Sequence, residues 1–416
     1  MDRLRARSRA VLGLADRSPY ATFLLAAVPV AIVYALTASW WVAQSPDSFT
    51  NLLTARAVAE RGSLYLDEDA QLTELRDYGV SIIDTDGGRL ASRYQPAASL
   101  HAVPLYLLAR GHTVGLVADP ITSPPPRPIE DYRVPPAWPG ALTSVLLVGA
   151  AVGTMALTFR QMAAGSVAVL AAYTTGLGTS LWSVAADELW QHTPGVFWLA
   201  IGGYATARTQ AATSALGYGI AAAVRPFNAV VGGVVALRHL FSHRRWIAVA
   251  VGAGVGIGIG SVIATNAVVF GTPSIQGGYR GGDVFSDTEG LGPLWYPLNY
   301  LRGLLHPRYG LLTWSPFVAL LLARVPRAYR TSPVWCRGPA IGGAIYLLMH
   351  WTIHRASGGA GFLFYRYPLE ALVACAPLLF WTYLDQVRTD PRRNRLFGLL
   401  VLIGVVGHST AALTLR

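Results

Sequence analysis

The sequence predicts an all-α membrane protein that crosses the bilayer many times as one bundle. Of its 416 residues, 53% are hydrophobic and only 13% are charged, whereas roughly a quarter of the residues in soluble domains are charged. Apolar runs long enough to cross about 30 Å of hydrocarbon recur along the chain. Basic residues gather in the short segments between alternate runs, as they do in multi-spanning proteins.

The first apolar run covers residues 21–43, and we expect it to be uncleaved because no small-residue cleavage site follows it. Further runs cover residues 139–159, 163–185, 195–207, 246–270, 310–325, 335–353, 364–384 and 396–413. Between residues 213 and 237, Arg225-Pro226 divides an apolar segment into two predicted half-length helices that meet at the outer face. The prediction is a single domain, 1–416, with about eleven crossings.

Charge predicts the orientation. The predicted inner segments hold 18 of the 33 basic residues and four acidic residues, so the N-terminus is expected in the cytoplasm and the C-terminus outside the plasma membrane. Residues 44–138 and 272–309 then form two long outer loops. Residues 97–117 are apolar, but a crossing there would reverse every later loop, so we predict an interfacial or re-entrant helix.

The first outer loop is too long to be a simple connector and is expected to carry interfacial helices. Residues 49–60 have an amphipathic pattern that predicts a helix lying on the membrane surface. All 33 basic residues are arginine, which excludes Schiff-base and P-loop lysine chemistry. Two cysteines exclude a disulfide scaffold and any CxxC site. The dispersed arginines do not favour nucleic-acid binding.

Asp47 is the first candidate catalytic residue, because it stands just beyond the first span. A carboxylate at the membrane boundary can act as a general base toward a substrate with a lipid tail. A second interpretation is a helix N-cap, since Asp is favoured there. Position alone leaves both interpretations open.

A second polar group ends a span at the outer face. Glu188 and His192 would share a helix face, and either could assist catalysis. Asp187, Trp190 and Gln191 could bind a sugar, with Trp190 as the stacking surface. The alternative is a polar helix end without chemistry. No metal site is predicted, because one His and two acids in sequence are too few convergent ligands.

The third group is basic and faces outward. Arginine binds phosphate in a bidentate manner, so the group favours an anionic lipid substrate. Arg225 is the most informative member, because a charge within an apolar segment is costly and usually functional. The predicted donor-phosphate residues are Arg225, Arg280, Arg308, Arg366, Tyr309 and Tyr365. Asn228 and His354 are added as acceptor or sugar contacts.

The order of several short motifs resembles the polytopic GT-C glycosyltransferases, in particular a prokaryotic branch related to the dolichyl-phosphate-mannose-protein mannosyltransferases. Each motif is weak alone, and their order over most of the chain carries the resemblance. The motifs are Pro46-Asp47, Arg93-Tyr94-Gln95-Pro96, Trp190-Gln191-His192, Arg225-Pro226-Phe227-Asn228, Pro307-Arg308-Tyr309-Gly310 and Tyr365-Arg366-Tyr367-Pro368.

The resemblance implies a GT-C-like bundle that takes a sugar from a polyprenyl-phosphate carrier at the outer face. It implies that Asp47 is the catalytic base and that Arg308 and Arg366 contact the donor phosphate. The sequence departs from the family pattern in having Pro-Asp-Ser where Asp-Glu is usual. No second acid follows Asp47, and acceptor and sugar therefore stay open.

The function expected from the sequence is an inverting membrane glycosyltransferase without a cofactor. It would transfer mannose or arabinofuranose from a polyprenyl-phosphate donor to a lipid-linked or cell-envelope glycan. Membrane lipids, donor and acceptor are the expected partners, with no nucleic acid. A flippase or exporter of lipid-linked saccharide, a polysaccharide ligase and a non-catalytic scaffold are the alternatives.

Overall fold

A computed structural model describes residues 12–41, 45–78, 80–115, 132–242, 244–279, 295–356 and 364–414. Within these ranges the chain is predominantly helical and has very little sheet. The first half contains α1 (Pro19–Thr37), α2 (Pro46–Arg61), α3 (Ala97–Leu100), α4 (Val103–Leu108), α5 (Trp138–Phe159), α6 (Gly165–Leu177), α7 (His192–Ala207) and α8 (Ala211–Val224). The second half contains α9 (Ala229–Phe241), α10 (Arg245–Phe270), α11 (Trp295–Leu305), α12 (Leu311–Trp314), α13 (Phe317–Leu322), α14 (Val325–Thr331), α15 (Val334–Ile353), α16 (Pro368–Thr382) and α17 (Pro391–Thr414).

The remaining elements are short. Four strands form two antiparallel ribbons, in which β1 (Ile82–Asp84) pairs with β2 (Leu90–Ser92) and β3 (Val114–Gly115) with β4 (Arg133–Val134). A 3₁₀ segment covers Asp67–Tyr78, and a second covers Pro226–Asn228. Single π-helical turns follow α6 at Leu181–Ala185 and α16 at Tyr383–Val387.

Four of the helices in the described ranges, α1, α5, α10 and α17, are long and apolar enough to cross a membrane. The predominantly helical fold predicted from the sequence is thereby confirmed, with four helices whose length and composition suit a membrane. Most other predicted spans coincide with shorter helices, such as α8 with 14 residues and α9 with 13, whereas α15 has 20 residues. The count of eleven crossings therefore stays a prediction.

Small residues allow close packing of the long helices. A Cβ on Gly219 of α8 would stand 2.6 Å from the carbonyl oxygen of Gly254 in α10, and a Cβ on Gly258 would stand 2.2 Å from that of Gly219. Neither contact is possible with a larger residue, so the two backbones are in direct contact. This is the packing that small residues favour between membrane helices.

The helix is interrupted at Arg225-Pro226, as the sequence predicts. Helix α8 ends at Val224, and α9 begins at Ala229 after one 3₁₀ turn. A proline has no backbone N–H to donate to the carbonyl four residues earlier, and its ring crowds that carbonyl, so a helix break is favoured here. The break leaves Arg225 in an extended conformation at the end of α8.

The apolar side chains of helix α2 pack against protein on both faces of the helix, whereas the sequence predicts that they lie against the membrane. One face packs Phe49 and Leu53 against Ile82 of β1 and neighbouring residues. The opposite face packs Leu52 against Tyr106 of α4 and neighbouring residues. The helix is covered on both sides by other segments of the chain, so its apolar residues have protein partners.

Residues 97–117 contain only the short helices α3 and α4 and strand β3 within the described part of the chain. None of these is long enough to cross a bilayer. Leu107 and Leu108 are 51% and 76% exposed. Exposed leucines beside a buried Tyr106 are consistent with the interfacial position that the sequence predicts.

Candidate active site at one end of the helix bundle

Helix α2 begins with a cap that leaves Asp47 available for other contacts. Ser45 is the N-cap, and its hydroxyl accepts a hydrogen bond of 3.2 Å from the backbone N–H of Asp47. Asp47 lies in the first turn, where the helix dipole stabilises a carboxylate. The N-cap interpretation of Asp47 is therefore wrong, because Ser45 performs that role.

The Asp47 carboxylate is held by two residues from distant parts of the chain. Oδ2 lies 2.7 Å from Nη1 of Arg366, and Oδ1 accepts a hydrogen bond from the Tyr94 hydroxyl. The hydroxyls of Ser81 and Tyr94 are 2.9 Å apart. The Asp47 side chain is 29% exposed while that of Arg366 is 11% exposed, so the carboxylate can still be approached from outside.

Tyr94 is a protonated donor in this arrangement. Burial raises the pKa of Tyr94 well above its ordinary value, and the negative charge of Asp47 raises it further. The ring of Tyr279 meets that of Tyr94 edge-on, with 6.2 Å between ring centroids. Burial likewise raises the pKa of Tyr279, and the two phenols therefore supply hydrogen-bond donors rather than charge.

Aromatic rings support the Arg366 guanidinium. Its central carbon lies 5.2 Å from the ring centroid of Trp190 and 5.3 Å from that of Tyr367. Such distances allow cation–π attraction. Trp190 is buried and contacts an arginine in this structure, so a stacking role toward a sugar stays a prediction that would require Arg366 to move.

The segment that carries Trp190 also fixes the start of α2. Oε2 of Glu188 accepts a hydrogen bond of 3.3 Å from the backbone N–H of Ser45. Asp187 accepts one of 3.0 Å from Ser39. The carbonyl of Leu189 accepts one of 2.9 Å from Asn51. Glu188 and Asp187 are thus next to the Asp47 site. They hold the segment before α7 against the residues that connect α1 to α2.

A second cluster of charged groups lies below the surface. Arg225 Nη1 is 3.0 Å from Glu370 Oε1 and 3.0 Å from the Tyr346 hydroxyl. Nδ1 of His192 is 2.8 Å from Glu370 Oε2. Glu370 is fully buried and Arg225 is 9% exposed. A buried ion pair of this kind is tolerable only where each charge keeps its partners.

Tyr367 lies between the two clusters. The Arg225 guanidinium carbon is 5.9 Å from its ring centroid, and the neighbouring Arg366 approaches the same ring. His350 stacks on this ring at 4.9 Å, and His354 follows at 5.5 Å. The structure therefore brings Arg225, Arg366, His192, His350 and His354 together around one tyrosine, and Asp47 joins them through Arg366.

Two predicted phosphate-binding residues lie elsewhere. The Tyr365 hydroxyl is buried, 2.6 Å from the Ser315 hydroxyl, and it accepts a hydrogen bond from the backbone N–H of Ser180. Tyr309 stacks on His306 with 4.0 Å between ring centroids. The Tyr365 hydroxyl thus bonds to residues within the bundle, whereas the side chain of the neighbouring Arg366 pairs with Asp47.

The remaining predicted residues have mixed positions. Arg308 has an exposed side chain, and its carbonyl accepts a hydrogen bond of 2.6 Å from the N–H of Phe364. Asn228 is buried and donates to the carbonyl of Ala221, while Gln191 is half-buried immediately before α7. Arg280 lies outside the described residues.

Sequence reasoning missed Glu370, Tyr94 and His350 as members of the site. Glu370 is the only charged residue in α16, and a lone acid in an apolar run is a strong functional signal. That signal was available from the sequence. The position of Tyr94 was not, because nothing local indicates that its hydroxyl reaches Asp47.

Within the part of the chain that the structure describes, no group of three or more His, Cys, Asp or Glu residues could hold a metal ion. The positive charges at the site are instead the two guanidinium groups of Arg225 and Arg366. No family model, curated protein or solved structure was found to match this chain.

Proposed function

We propose that the protein is an inverting membrane glycosyltransferase that uses a polyprenyl-phosphate sugar. The observation that carries the proposal is the Asp47 carboxylate, which is partly exposed, held by Arg366 and Tyr94, and placed directly after the apolar helix α1. A substrate with a lipid tail in the membrane would present its head group at this depth. The family resemblance of the motifs supports the same interpretation.

The proposal includes a topology. We infer about eleven crossings of the plasma membrane, with the N-terminus in the cytoplasm and Asp47 at the outer face. The site residues support this, since they lie at the end of α1, the end of α8, the start of α7 and the start of α16. Arg160 binds the carbonyl of Asp16 at the opposite end, in agreement with a basic inner face.

The two arginines would bind the donor phosphate. Arg225 and Arg366 flank Tyr367 from two directions, and guanidinium groups match the geometry of phosphate oxygens. An incoming phosphate would compete with Asp47 for Arg366. Loosening of the Asp47–Arg366 ion pair would then leave the carboxylate with Tyr94 alone and able to accept a proton.

Asp47 would act as general base in the transfer. The acceptor O–H gives its proton to Asp47 while the acceptor oxygen bonds to the anomeric carbon. The bond from this carbon to the phosphate oxygen breaks at the same time, and the electron pair leaves with the polyprenyl phosphate. One displacement at carbon inverts the anomeric centre, whereas retention would use a second, closely placed carboxylate as nucleophile.

Glu188 and Glu370 do not suit the role of nucleophile. Glu188 is 5% exposed and Glu370 is fully buried. The Glu370 carboxylate also accepts contacts from Arg225 and His192. His192 and His354 lie close enough to the cluster to orient an acceptor. The acceptor is proposed to be a lipid-linked or cell-envelope glycan, and the sugar mannose or arabinofuranose.

The test is turnover by the purified protein with a panel of radiolabelled polyprenyl-phosphate sugars, polyprenyl-diphosphate saccharides and membrane acceptors. We expect transfer of one sugar, with Asp47→Asn as the inactive control. Movement of an intact lipid-linked saccharide across proteoliposomes without transfer would instead identify a flippase. Turnover only with diphosphate-linked saccharides would identify a ligase. Either result would overturn the proposal.

A further inference from the structure

A pocket lined by four arginines lies at the opposite end of the bundle from Asp47. It has a volume of about 550 Å³, and its lining includes Arg324, Arg327, Arg330, Arg393 and Gln386. We call it the arginine pocket. It is formed where α13 passes into α14 and where the π-helical turn after α16 approaches the start of α17.

Positive charge dominates the arginine pocket. Arg393 pairs with Asp390 at 3.1 Å, and Asp385 accepts hydrogen bonds from Thr331 and Gln386. Arg327 and Arg330 are exposed. Four guanidinium groups around one concavity, against two neighbouring carboxylates, leave a net positive charge that favours an anion. Guanidinium groups favour phosphate in particular.

An apolar cavity of about 270 Å³ lies between α6, α13, α16 and α17. Its walls include Phe317, Leu321, Phe380 and Phe397, and Arg388 is the charged residue in its lining. Protein interiors leave few voids larger than a water molecule. A cavity of this size and composition therefore suits a hydrocarbon chain.

The same three structural segments line both spaces. Helix α13 contributes Leu321 to the apolar cavity, and Arg324 follows it in the arginine pocket. Tyr383 lines the cavity and Gln386, in the same π-helical turn, lines the pocket. In α17, Arg393 lines the pocket and Phe397, one turn later, lines the cavity. The charged space and the apolar space thus adjoin along every one of these segments.

We propose that this paired site binds an anionic phospholipid, with its phosphate head group in the arginine pocket and an acyl chain in the apolar cavity. A soluble anion would use only the pocket, and a zwitterionic lipid would leave the arginine charge uncompensated. Helix α17 presents exposed Leu399, Leu402 and Ile403 beside the cavity, so lipid chains cover this side in a membrane. The site does not depend on the proposed glycosyl transfer.

The test is a titration of the purified full-length protein in detergent, followed by native mass spectrometry to count bound ligand. The probes are dioleoyl phosphatidylglycerol, dioleoyl phosphatidylcholine, glycerol 3-phosphate and inorganic phosphate. We expect one phosphatidylglycerol to bind with much higher affinity than any other probe. The variant Arg324→Gln/Arg327→Gln/Arg330→Gln should lose roughly 100-fold in affinity for it, at about fivefold for each charge removed near a membrane surface.

The matched control is Arg208→Gln/Arg244→Gln/Arg245→Gln. These arginines are exposed at the same end of the bundle but do not line the pocket, and the variant removes the same net charge. It should bind phosphatidylglycerol as the parent protein does. Equal losses of phosphatidylglycerol affinity in both triple variants would show that the loss comes from general surface charge, and would overturn the proposal. Binding of phosphate or glycerol 3-phosphate as strong as that of the lipid would overturn it as well.

Discussion

Arg366 Nη1 lies 2.7 Å from Asp47 Oδ2, although 319 residues separate the two in the chain. Asp47 lies in the first turn of α2, and Arg366 precedes α16 near the other end of the sequence. Their ion pair fastens the loop to the helix bundle at the point where Tyr94 also reaches the carboxylate. The pair is thus both a structural link and the proposed centre of the chemistry.

Asp47→Asn is expected to lower the turnover number by about 10²–10⁴-fold, because an amide cannot accept the acceptor proton. This corresponds to roughly 3–5 kcal/mol in the activation barrier. Donor KM should not rise, because an amide competes with the donor phosphate for Arg366 less strongly than a carboxylate does. Asp84→Asn, which alters an exposed acid in the same loop, is the control and should retain full turnover. Retention of more than about a tenth of the parental turnover by Asp47→Asn would exclude an essential base.

Arg366→Ala is expected to raise the donor KM by roughly 10–100-fold, the range for loss of a hydrogen bond to a charged group. Arg366→Lys should restore little of the donor affinity, since an ammonium group does not reproduce the planar, two-pronged donor geometry of a guanidinium. Arg308→Ala should have a smaller effect, because the Arg308 side chain is exposed while Arg366 is in the Asp47 site. An unchanged donor KM in Arg366→Ala would remove Arg366 from the phosphate site.

The general character of the fold could be predicted because a membrane imposes it on the sequence. Backbone groups in hydrocarbon must be satisfied within the helix, so apolar runs mark helices, and Pro226 marks the break between α8 and α9. The environment of α2 could not be predicted. Its covering partners, such as Ile82 and Tyr106, are far along the chain, and an amphipathic pattern does not say whether protein or lipid covers it.

The sequence identifies many of the residues in the site, but it identifies few of the contacts between them. Asp47 and Arg366 were both candidates, yet their direct contact depends on a fold that brings residues 47 and 366 together. Arg225 was identified from the cost of a charge in an apolar segment. The same argument applies to Glu370, its partner at 3.0 Å, and the two signals together would have indicated a buried ion pair.

Glu370→Gln is expected to destabilise the protein by about 3–5 kcal/mol, because it leaves the Arg225 charge buried without its carboxylate. Thermal unfolding in detergent, followed by tryptophan fluorescence, should show a lower Tm. Glu68→Gln disrupts an ion pair in which the Glu68 side chain is 70% exposed and should cost no more than about 1 kcal/mol. In the double variant Arg225→Gln/Glu370→Gln, the loss should be smaller than the sum of the single losses. Strict additivity would show that the two groups do not stabilise one another.

The topology is tested with introduced cysteines in intact cells. Asp84→Cys should react with a membrane-impermeant maleimide added outside, since Asp84 is exposed in the first outer loop. Thr389→Cys is exposed at the arginine-rich end and should react only after the membrane is made permeable. Each is compared with the parent protein, which contains Cys336 and Cys375. Labelling of both positions from the outside would contradict the proposed orientation.

The docking of α3 and α4 on the bundle is expected to weaken at low pH, when His101 is protonated. Nδ1 of His101 donates to the carbonyl of Ala97 at 2.7 Å, and Nε2 accepts a hydrogen bond of 2.8 Å from the indole N–H of Trp198 in α7. A protonated imidazole has no acceptor nitrogen, so it would lose the contact with Trp198. Burial lowers the pKa of His101 below its ordinary value of 6.5.

The folded protein therefore binds fewer protons than the unfolded chain between this lowered pKa and pH 6.5. The contribution of His101 to the free energy of unfolding is fully present above about pH 6.5 and falls as the pH decreases toward the lowered pKa. The loss is about 1.4 kcal/mol for each unit by which the pKa is lowered. His101→Gln keeps an acceptor but does not titrate, so its Tm should fall less than that of the parent between pH 7.5 and 5. His112→Gln, which changes an exposed histidine of the same loop, should follow the parent. If His101→Gln loses as much Tm on acidification as the parent, His101 is not the group that couples this contact to pH.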